Sequence, residues 1–188
     1  NTHITDDFYI NSGMHGTNQV SIENWLAETK NDDERRYKFL YDFIISKDIL
    51  DFGCGGGGFL QKSKEISRIS IGIELERRVR EYWKNNLKIY SSLCELGEKK
   101  FDMITAFHVI EHLKDPKEIL KKIKRFLKKN GLLIIEVPNS EDVLLTKYKN
   151  KSFQSFTYWS QHLYYFNSST LTRLCESSGL KVESIKHM

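Results

Sequence analysis

Cysteine and proline are scarce in this chain, whose 188 residues include three cysteines and two prolines. Internal repeats and low-complexity segments are also absent. Cys54, Cys94 and Cys175 are odd in number, widely spaced and without a CxxC pair. This pattern excludes a disulfide framework and a cysteine metal site, so we expect reduced thiols.

Long apolar runs are absent as well, and none approaches the length that crosses a bilayer. Residues 1–11 are polar and acidic, unlike a signal peptide. We therefore expect a cytoplasmic protein with no membrane attachment. The formal charge is only +4, and much of the excess lies between Lys114 and Lys129, with no basic stripe interleaved with aromatic residues. Such a stretch is typical of a solvated helix face, so no nucleic-acid partner is expected.

The length and the overall composition of the chain predict one soluble domain. Hydrophobic residues make up 39% and charged residues 29% of the chain, enough for one sizeable core. From residue 49 onward, short apolar runs alternate with helical patterns. The predicted strands are 49–52, 69–73, 103–107 and 132–137, with a weaker one at 88–91, and the predicted helices are 59–65, 77–86 and 116–129. This alternation predicts a parallel sheet covered by helices on both faces.

The helix after Asp115 has the strongest local signals. Asp115 suits the N-cap, Pro116 suits the first helical position, and Glu118 completes a capping box. Gly131 is expected to end this helix.

The flanking segments have other patterns. Two short helices are predicted before residue 49, and Asp32 or Asp33 can cap the second. On the other side lie an irregular, aromatic-rich stretch at 138–167, a predicted helix at 170–178 and a last predicted strand at 181–185.

The most informative segment is 49–59, ILDFGCGGGGF, in which a buried strand ends in a run of glycines before a helix. Glycine lets a ligand approach the main chain, and α/β sheets bind ligands at the carboxyl ends of central strands. Gly53, Gly55 and Gly58 also satisfy the dinucleotide pattern GxGxxG, which is weak evidence alone. Two ligands are therefore considered, a dinucleotide and S-adenosylmethionine, and Asp51 distinguishes between them. A carboxylate at the helix start repels the pyrophosphate of a dinucleotide. The same carboxylate attracts the amino group and the sulfonium of S-adenosylmethionine. The charge favours the methyl donor.

A second carboxylate, Glu74, follows the next predicted strand, 23 residues after Asp51. That spacing is near the one at which an acidic residue meets ribose hydroxyls. The alternative is a surface glutamate at a strand end. The glycine loop makes ribose binding the favoured interpretation.

Several segments, in order, resemble motifs of the class I S-adenosylmethionine-dependent methyltransferases. The similar branch contains ubiquinone-biosynthesis O-methyltransferases and many sugar or small-molecule methyltransferases. The matching segments are the loop 51–57, the fourth-strand segment 101–113, the fifth strand 131–139, and a C-terminal block with Trp159, His162 and Phe166. This resemblance covers about residues 49–185. It implies a Rossmann-like, doubly wound, mostly parallel sheet, with S-adenosylmethionine as cofactor and S-adenosylhomocysteine as product.

The resemblance also implies which residues bind the cofactor. The glycines would line its methionine part, Asp51 would reach its amino group, and Glu74 would bind the ribose. Leu75 would lie against the adenine, and Ser92 stands in the stretch where similar proteins often carry an adenine-binding aspartate. The full predicted set is Asp51, Gly53, Cys54, Gly55, Gly57, Glu74, Leu75, Ser92, Phe107 and His108.

Two further expectations concern the architecture. Relatives of this kind add an antiparallel strand beside the fifth, and the sequence stops before it, so we expect that last strand to be missing. Residues 1–48 are expected to form an N-terminal helical or lid segment packed on the core, and 49–188 the cofactor-binding domain, in a single domain overall.

The acceptor side is less clearly marked. A hydroxyl or amine acceptor can require a base, and His112 and His162 are the candidates. Alternatively, His112 braces the loop before Asp115, and His162 packs among aromatic side chains. The N-terminal segment and the 138–167 insert could close over the site as a lid. Predicted substrate residues are Tyr9, His15, Trp159 and His162.

No metal site is expected, because the Glu111-His112 pair has no ligand partner at helical spacing. The predicted function is transfer of a methyl group to oxygen or nitrogen of a small molecule, such as a sugar or another biosynthetic intermediate. One alternative is a non-catalytic S-adenosylmethionine-binding protein. Another is a nicotinamide-dependent oxidoreductase that uses the literal GxGxxG. The oligomeric state is not predicted.

Overall fold

The computed structural model describes residues 20–158, except the side chain of Phe156, and residues 161–187. The predicted substrate residues Tyr9, His15 and Trp159 lie outside the described residues. The chain forms two compact units. One contains the described residues up to Ala106 together with Phe126–Ile134, and the other contains Phe107–Arg125 and the described residues from Ile135 onward.

The first unit carries a five-stranded sheet in the order β3-β2-β1-β4-β5. Strand β1 pairs in parallel with β2 and β4, and β2 pairs in parallel with β3. Because the strand order reverses beside β1, this is the doubly wound, Rossmann-like arrangement that the sequence predicts. The strands are β1 (Asp48–Phe52), β2 (Ile69–Ile73), β3 (Lys88–Tyr90), β4 (Phe101–Phe107) and β5 (Leu127–Glu136), the last two ending just beyond this unit.

Three helices of the first unit surround one apolar cluster. They are α1 (Ile22–Ile44), α2 (Gly58–Lys64) and α3 (Arg77–Trp83), and a 3-10 turn, Leu93–Leu96, follows β3. The cluster consists of Ile22, Cys54, Leu60, Val79, Trp83 and Leu87, with Trp25, Leu26 and Ile89 packed against it. Through Cys54, this cluster includes the segment between β1 and α2.

The second unit begins with the end of β4 and a 3-10 turn, Ile110–His112. Its helices are α4 (Pro116–Lys124), α5 (Val143–Thr146), α6 (Lys151–Thr157) and α7 (Ser168–Ser177). The Asp115 side chain accepts a 3.1 Å hydrogen bond from the backbone N–H of Glu118, which confirms the predicted start of α4. Helix α4 packs against α7, and Lys124 Nζ donates to the carbonyl of Gly179.

The prediction of two short helices before residue 49 is wrong, because α1 is one continuous helix capped by Ser21. Asp33 does not cap a helix. It lies inside α1, buried, where it accepts a 2.9 Å hydrogen bond from the Thr29 hydroxyl and pairs with Arg36 at 3.6 Å. These neighbours four residues before and three after satisfy the carboxylate within the helix.

Helix α4 ends at Lys124, earlier than predicted, and Gly131 lies within β5 instead of ending the helix. The reason is a tertiary hydrogen bond: the N–H of Phe101 donates to the carbonyl of Phe126 at 2.7 Å, which draws the chain into the sheet.

The strand predicted at 181–185 is also wrong, since this segment has no regular secondary structure. Its side chains are mostly exposed, including Ile185 at 45%, so no buried face sets a strand register. Within the described residues the sheet has five strands. No described helix has both the length and the apolar composition needed to cross a bilayer. All three cysteines are free thiols.

Candidate functional site

The loop between β1 and α2 is held in a shape that favours glycine. Gly55 and Gly57 have φ angles of +52° and +88°, in the left-handed region. A Cβ atom on Gly57 would lie 2.6 Å from Nε1 of Trp83, and that indole N–H donates a 2.7 Å hydrogen bond to the carbonyl of Gly56. Trp83 therefore packs directly against this loop and holds its backbone in one shape.

Helix α1 also contacts this loop, a feature that the sequence did not indicate. A Cβ atom on Gly55 would lie 3.1 Å from the ring of Trp25, and one on Gly56 would lie 3.4 Å from the same ring. Cys54 is buried, and its sulfur packs beneath the loop toward Gly72. The Cys54 thiol is therefore part of the core, and any contact with a ligand would come from its backbone.

Asp51 lies at the end of β1 and is only 2% exposed. Its Oδ1 accepts a 2.7 Å hydrogen bond from the hydroxyl of Thr105, the residue opposite it on β4. Burial raises the pKa of Asp51 to about 7, and the nearby carboxylates of Asp33 and Glu74 also raise it. The hydrogen bond from Thr105 and the positive charge of Arg36 lower this pKa. The carboxylate is therefore poised to ionise when a cation approaches.

Glu74 directly follows β2. Its Oε2 accepts a 2.9 Å hydrogen bond from the N–H of Gly55, and its Oε1 accepts one of 2.9 Å from the N–H of Glu76. Burial raises the pKa of Glu74 to about 7 against these backbone donors. Glu74 thus links the end of β2 to the glycine loop.

Leu75 and Ser92 follow β2 and β3. The carbonyl of Leu75 accepts a 2.6 Å hydrogen bond from Arg80. Ser92 caps the 3-10 turn, and its N–H donates to Glu95 Oε1 at 3.1 Å. Because the carboxyl ends of parallel strands meet at one edge, the sheet brings Asp51, the glycines, Glu74, Leu75 and Ser92 to that edge.

Phe107 and His108 belong to the second unit. His108 has a φ of +53°, and its ring lies between two carboxylates, with Nδ1 3.2 Å from Glu111 Oε1 and Nε2 3.1 Å from Glu136 Oε1. Burial lowers the pKa of His108, but the two carboxylates outweigh it and raise the pKa to about 9. The sequence did not indicate Glu136, because it lies on a different strand from His108.

The structure places the two candidate bases, His112 and His162, side by side in the second unit. Their ring centroids are 4.8 Å apart, and each side chain is 8% exposed. Nδ1–H of His112 donates to the carbonyl of Gln161 at 3.0 Å, and Nδ1–H of His162 donates to the carbonyl of Thr157 at 2.7 Å. Burial lowers the pKa of His112. The first of these bonds also fits the alternative in which His112 braces a loop.

Comparison with known proteins gives a consistent result. Residues 22–185 match the family described as "Methyltransferase domain". The ubiquinone biosynthesis O-methyltransferase of Glaesserella parasuis is 32% identical over 111 residues, which are 51% of this chain and 47% of that protein. The chain spans about half the length of the curated relatives it matches.

Solved structures show the same fold. A methyltransferase from Thermotoga maritima is 24% identical with a TM-score of 0.64, covering 84% of this chain and 74% of that one. One from Archaeoglobus fulgidus is 26% identical with a TM-score of 0.61, covering 85% and 69%. Both are described as S-adenosylmethionine-dependent.

Proposed function

Since this chain belongs to the class I S-adenosylmethionine-dependent methyltransferases, we propose that it transfers the methyl group of S-adenosylmethionine to a small-molecule acceptor. The observation that carries this proposal is the pairing of two carboxylates, the buried Asp51 and the partly buried Glu74, with a rigid glycine loop at one edge of the sheet. Anionic groups at this place favour a cationic, phosphate-free nucleoside and disfavour a dinucleotide.

The two carboxylates suit different parts of that nucleoside. Asp51 is almost fully buried and accepts only a hydroxyl hydrogen bond among the described contacts, so an ammonium group would supply the missing positive charge. Glu74 already accepts two backbone N–H groups and keeps lone pairs for ribose hydroxyls. S-adenosylmethionine supplies an activated methyl group on a sulfonium. The protein then has to orient the acceptor and exclude water.

The acceptor class is proposed from a relative of the chain. The G. parasuis relative is named as an O-methyltransferase of ubiquinone biosynthesis, so we propose a hydroxyl or amine on a small biosynthetic intermediate. Proton removal from that group is assigned to His112 or His162. Tyr9, His15 and Trp159 are proposed to act on the acceptor side together with His162.

The decisive experiment combines binding with transfer. Calorimetry should show uptake of S-adenosylhomocysteine and no uptake of NAD. Incubation of the chain with methyl-labelled donor and fractions of small molecules should then label one product, which mass analysis identifies. Asp51→Asn should strongly reduce the labelling at a limiting concentration of donor, whereas Cys94→Ser, at an exposed thiol, should retain it.

Three outcomes would overturn parts of the proposal. Uptake of NAD in preference to S-adenosylhomocysteine would establish the nicotinamide alternative. Donor binding with no labelled product in any fraction would indicate a non-catalytic binding protein. Labelling of macromolecules alone would contradict the small-molecule acceptor.

A further inference from the structure

We infer that Glu111, His112 and His162 form a binding site for one divalent transition-metal ion, with Zn²⁺ as the best match. All three side chains belong to the second unit and are at most 8% exposed. One oxygen or nitrogen atom of each lies within 4.8 Å of the others, a spread that a single ion can draw together. Two of the three residues are adjacent in the 3-10 turn, and the third comes from a distant segment.

The hydrogen bonds of the two histidines orient them as metal ligands. Each ring donates Nδ1–H to a backbone carbonyl, that of Gln161 for His112 and that of Thr157 for His162. This donation fixes the neutral tautomer and leaves the ring lone pair on Nε2. Histidines that bind metals commonly donate their other N–H to a carbonyl or carboxylate in this way.

Glu111 provides an independent observation. It is 1% exposed, and its Oε2 is buried without a hydrogen-bond partner among the described residues, while Oε1 lies 3.2 Å from Nδ1 of His108. A buried carboxylate oxygen without a partner is costly, and coordination to a cation removes that cost. Contact with His108 also holds the carboxylate in one orientation.

The chemistry of the donors selects the ion. Imidazole nitrogen suits Zn²⁺ and its transition-metal neighbours, whereas Mg²⁺ and Ca²⁺ prefer sites made of oxygen. Two histidines and one glutamate give three protein ligands, which leaves a fourth position for water or an oxygen ligand. Because His162 follows His112 by 50 residues, a search for ligands at helical spacing along the sequence does not find this group.

This inference does not depend on methyl transfer, but it changes the proposed role of the two histidines. An imidazole whose Nε2 lone pair binds an ion cannot also accept a proton from the acceptor. Metal binding would therefore exclude His112 and His162 as general bases. The residues proposed to bind the methyl donor would keep their roles.

The test uses the full chain after treatment with a chelator. Titration with Co²⁺ should produce visible absorption that saturates at one ion per chain, and Zn²⁺ should displace it. Glu111→Gln, His112→Ala and His162→Ala should each weaken Zn²⁺ binding by at least about tenfold. S-adenosylhomocysteine binding by the same variants reports whether they remain folded.

Two variants serve as matched controls. Glu136→Gln removes the other carboxylate beside His108 but none of the three ligand residues, and His187→Ala removes an exposed histidine of the same unit. Both should bind Zn²⁺ with an affinity within about threefold of the wild type. This change is much smaller than the loss of at least about tenfold that is expected for each ligand variant. Nitrogen NMR of the wild-type chain gives a readout that needs no variant, since Zn²⁺ should shift Nε2 of His112 and His162 and not that of His187.

Equal Zn²⁺ affinity in the ligand variants and the controls would overturn the inference, as would a wild-type chain that binds less than one ion at saturation. Shifts confined to His187 would show adventitious surface binding and have the same consequence. None of these results would bear on donor binding, so the failure of this inference is distinguishable from the failure of the proposed function.

Discussion

The hydroxyl of Thr105 donates a 2.7 Å hydrogen bond to Oδ1 of Asp51, and the two residues face each other in the register of β4 and β1. Both residues are at most 2% exposed, and their neighbours along the strands, such as Leu50 and Ile104, are apolar. The bond holds the carboxylate in one orientation at the point where the strand order reverses, and it partly offsets the effect of burial on the Asp51 pKa. An acid and its positioning residue are therefore built into the sheet itself.

The two carboxylates should recognise separate parts of the donor. Asp51→Asn should weaken binding of S-adenosylhomocysteine by about tenfold to a hundredfold, because a charged hydrogen bond of about 1.5–3 kcal/mol is lost. The same variant should bind methylthioadenosine, which lacks the amino acid part, as well as the wild type does. Glu74→Gln should weaken both ligands equally. Calorimetry with the two ligands measures this, and equal losses for both ligands in Asp51→Asn would contradict the assignment.

Thr105→Val keeps the shape of the side chain and removes the hydrogen bond to Asp51. The Asp51 pKa should then rise further, since that bond is the largest effect that lowers it. Donor affinity at pH 7 should fall and recover as the pH is raised, and the chain should lose about 1 kcal/mol of stability. Thr105→Ser is the control, because it keeps the hydroxyl and should keep the pH profile. A pH-independent loss of affinity in Thr105→Val would count against the role of this bond.

The stability of the ligand-free chain should decrease as the pH rises. The pKa values of Asp51 and Glu74 in the folded chain are raised to about 7. Their contribution to the free energy of unfolding is therefore fully present below the ordinary carboxyl pKa range, and it is lost as the pH rises through about 7. Each unit of pKa elevation corresponds to roughly 1.4 kcal/mol. Urea unfolding from pH 5 to 8 should show this fall, and Asp51→Asn and Glu74→Gln should each reduce it. A difference between wild type and variants that does not vary with pH would exclude this cause.

Gly57→Ala should destabilise the chain and abolish donor binding. The residue has a φ of +88°, and its new Cβ atom would lie 2.6 Å from Nε1 of Trp83. Backbone strain alone costs about 1–3 kcal/mol. Gly97→Ala is the matched control, since Gly97 has a φ of +60° with no atom within 4 Å of the added Cβ. Thermal unfolding should show the larger loss for Gly57→Ala, and equal losses would mean that the contact with Trp83 is unimportant.

The sequence by itself determined the alternation of strands and helices, the glycine loop, and the carboxylates at the ends of β1 and β2. These features follow from local periodicity, and from the rule that parallel strands end at one edge. Thr105, opposite Asp51, is recognisable in the sequence as a polar residue between the apolar residues Ile104 and Ala106. Its pairing with Asp51 depends on the register of the two strands.

Only the tertiary structure decided the remaining features. Asp33 is satisfied within α1, α4 ends at Lys124 because Phe126 bonds to Phe101 in the sheet, and 181–185 has no buried face to hold a strand. The grouping of Glu111, His112 and His162 likewise depends on contacts between distant segments. Such contacts form through packing and hydrogen bonding across the fold, and no local pattern of residues encodes them.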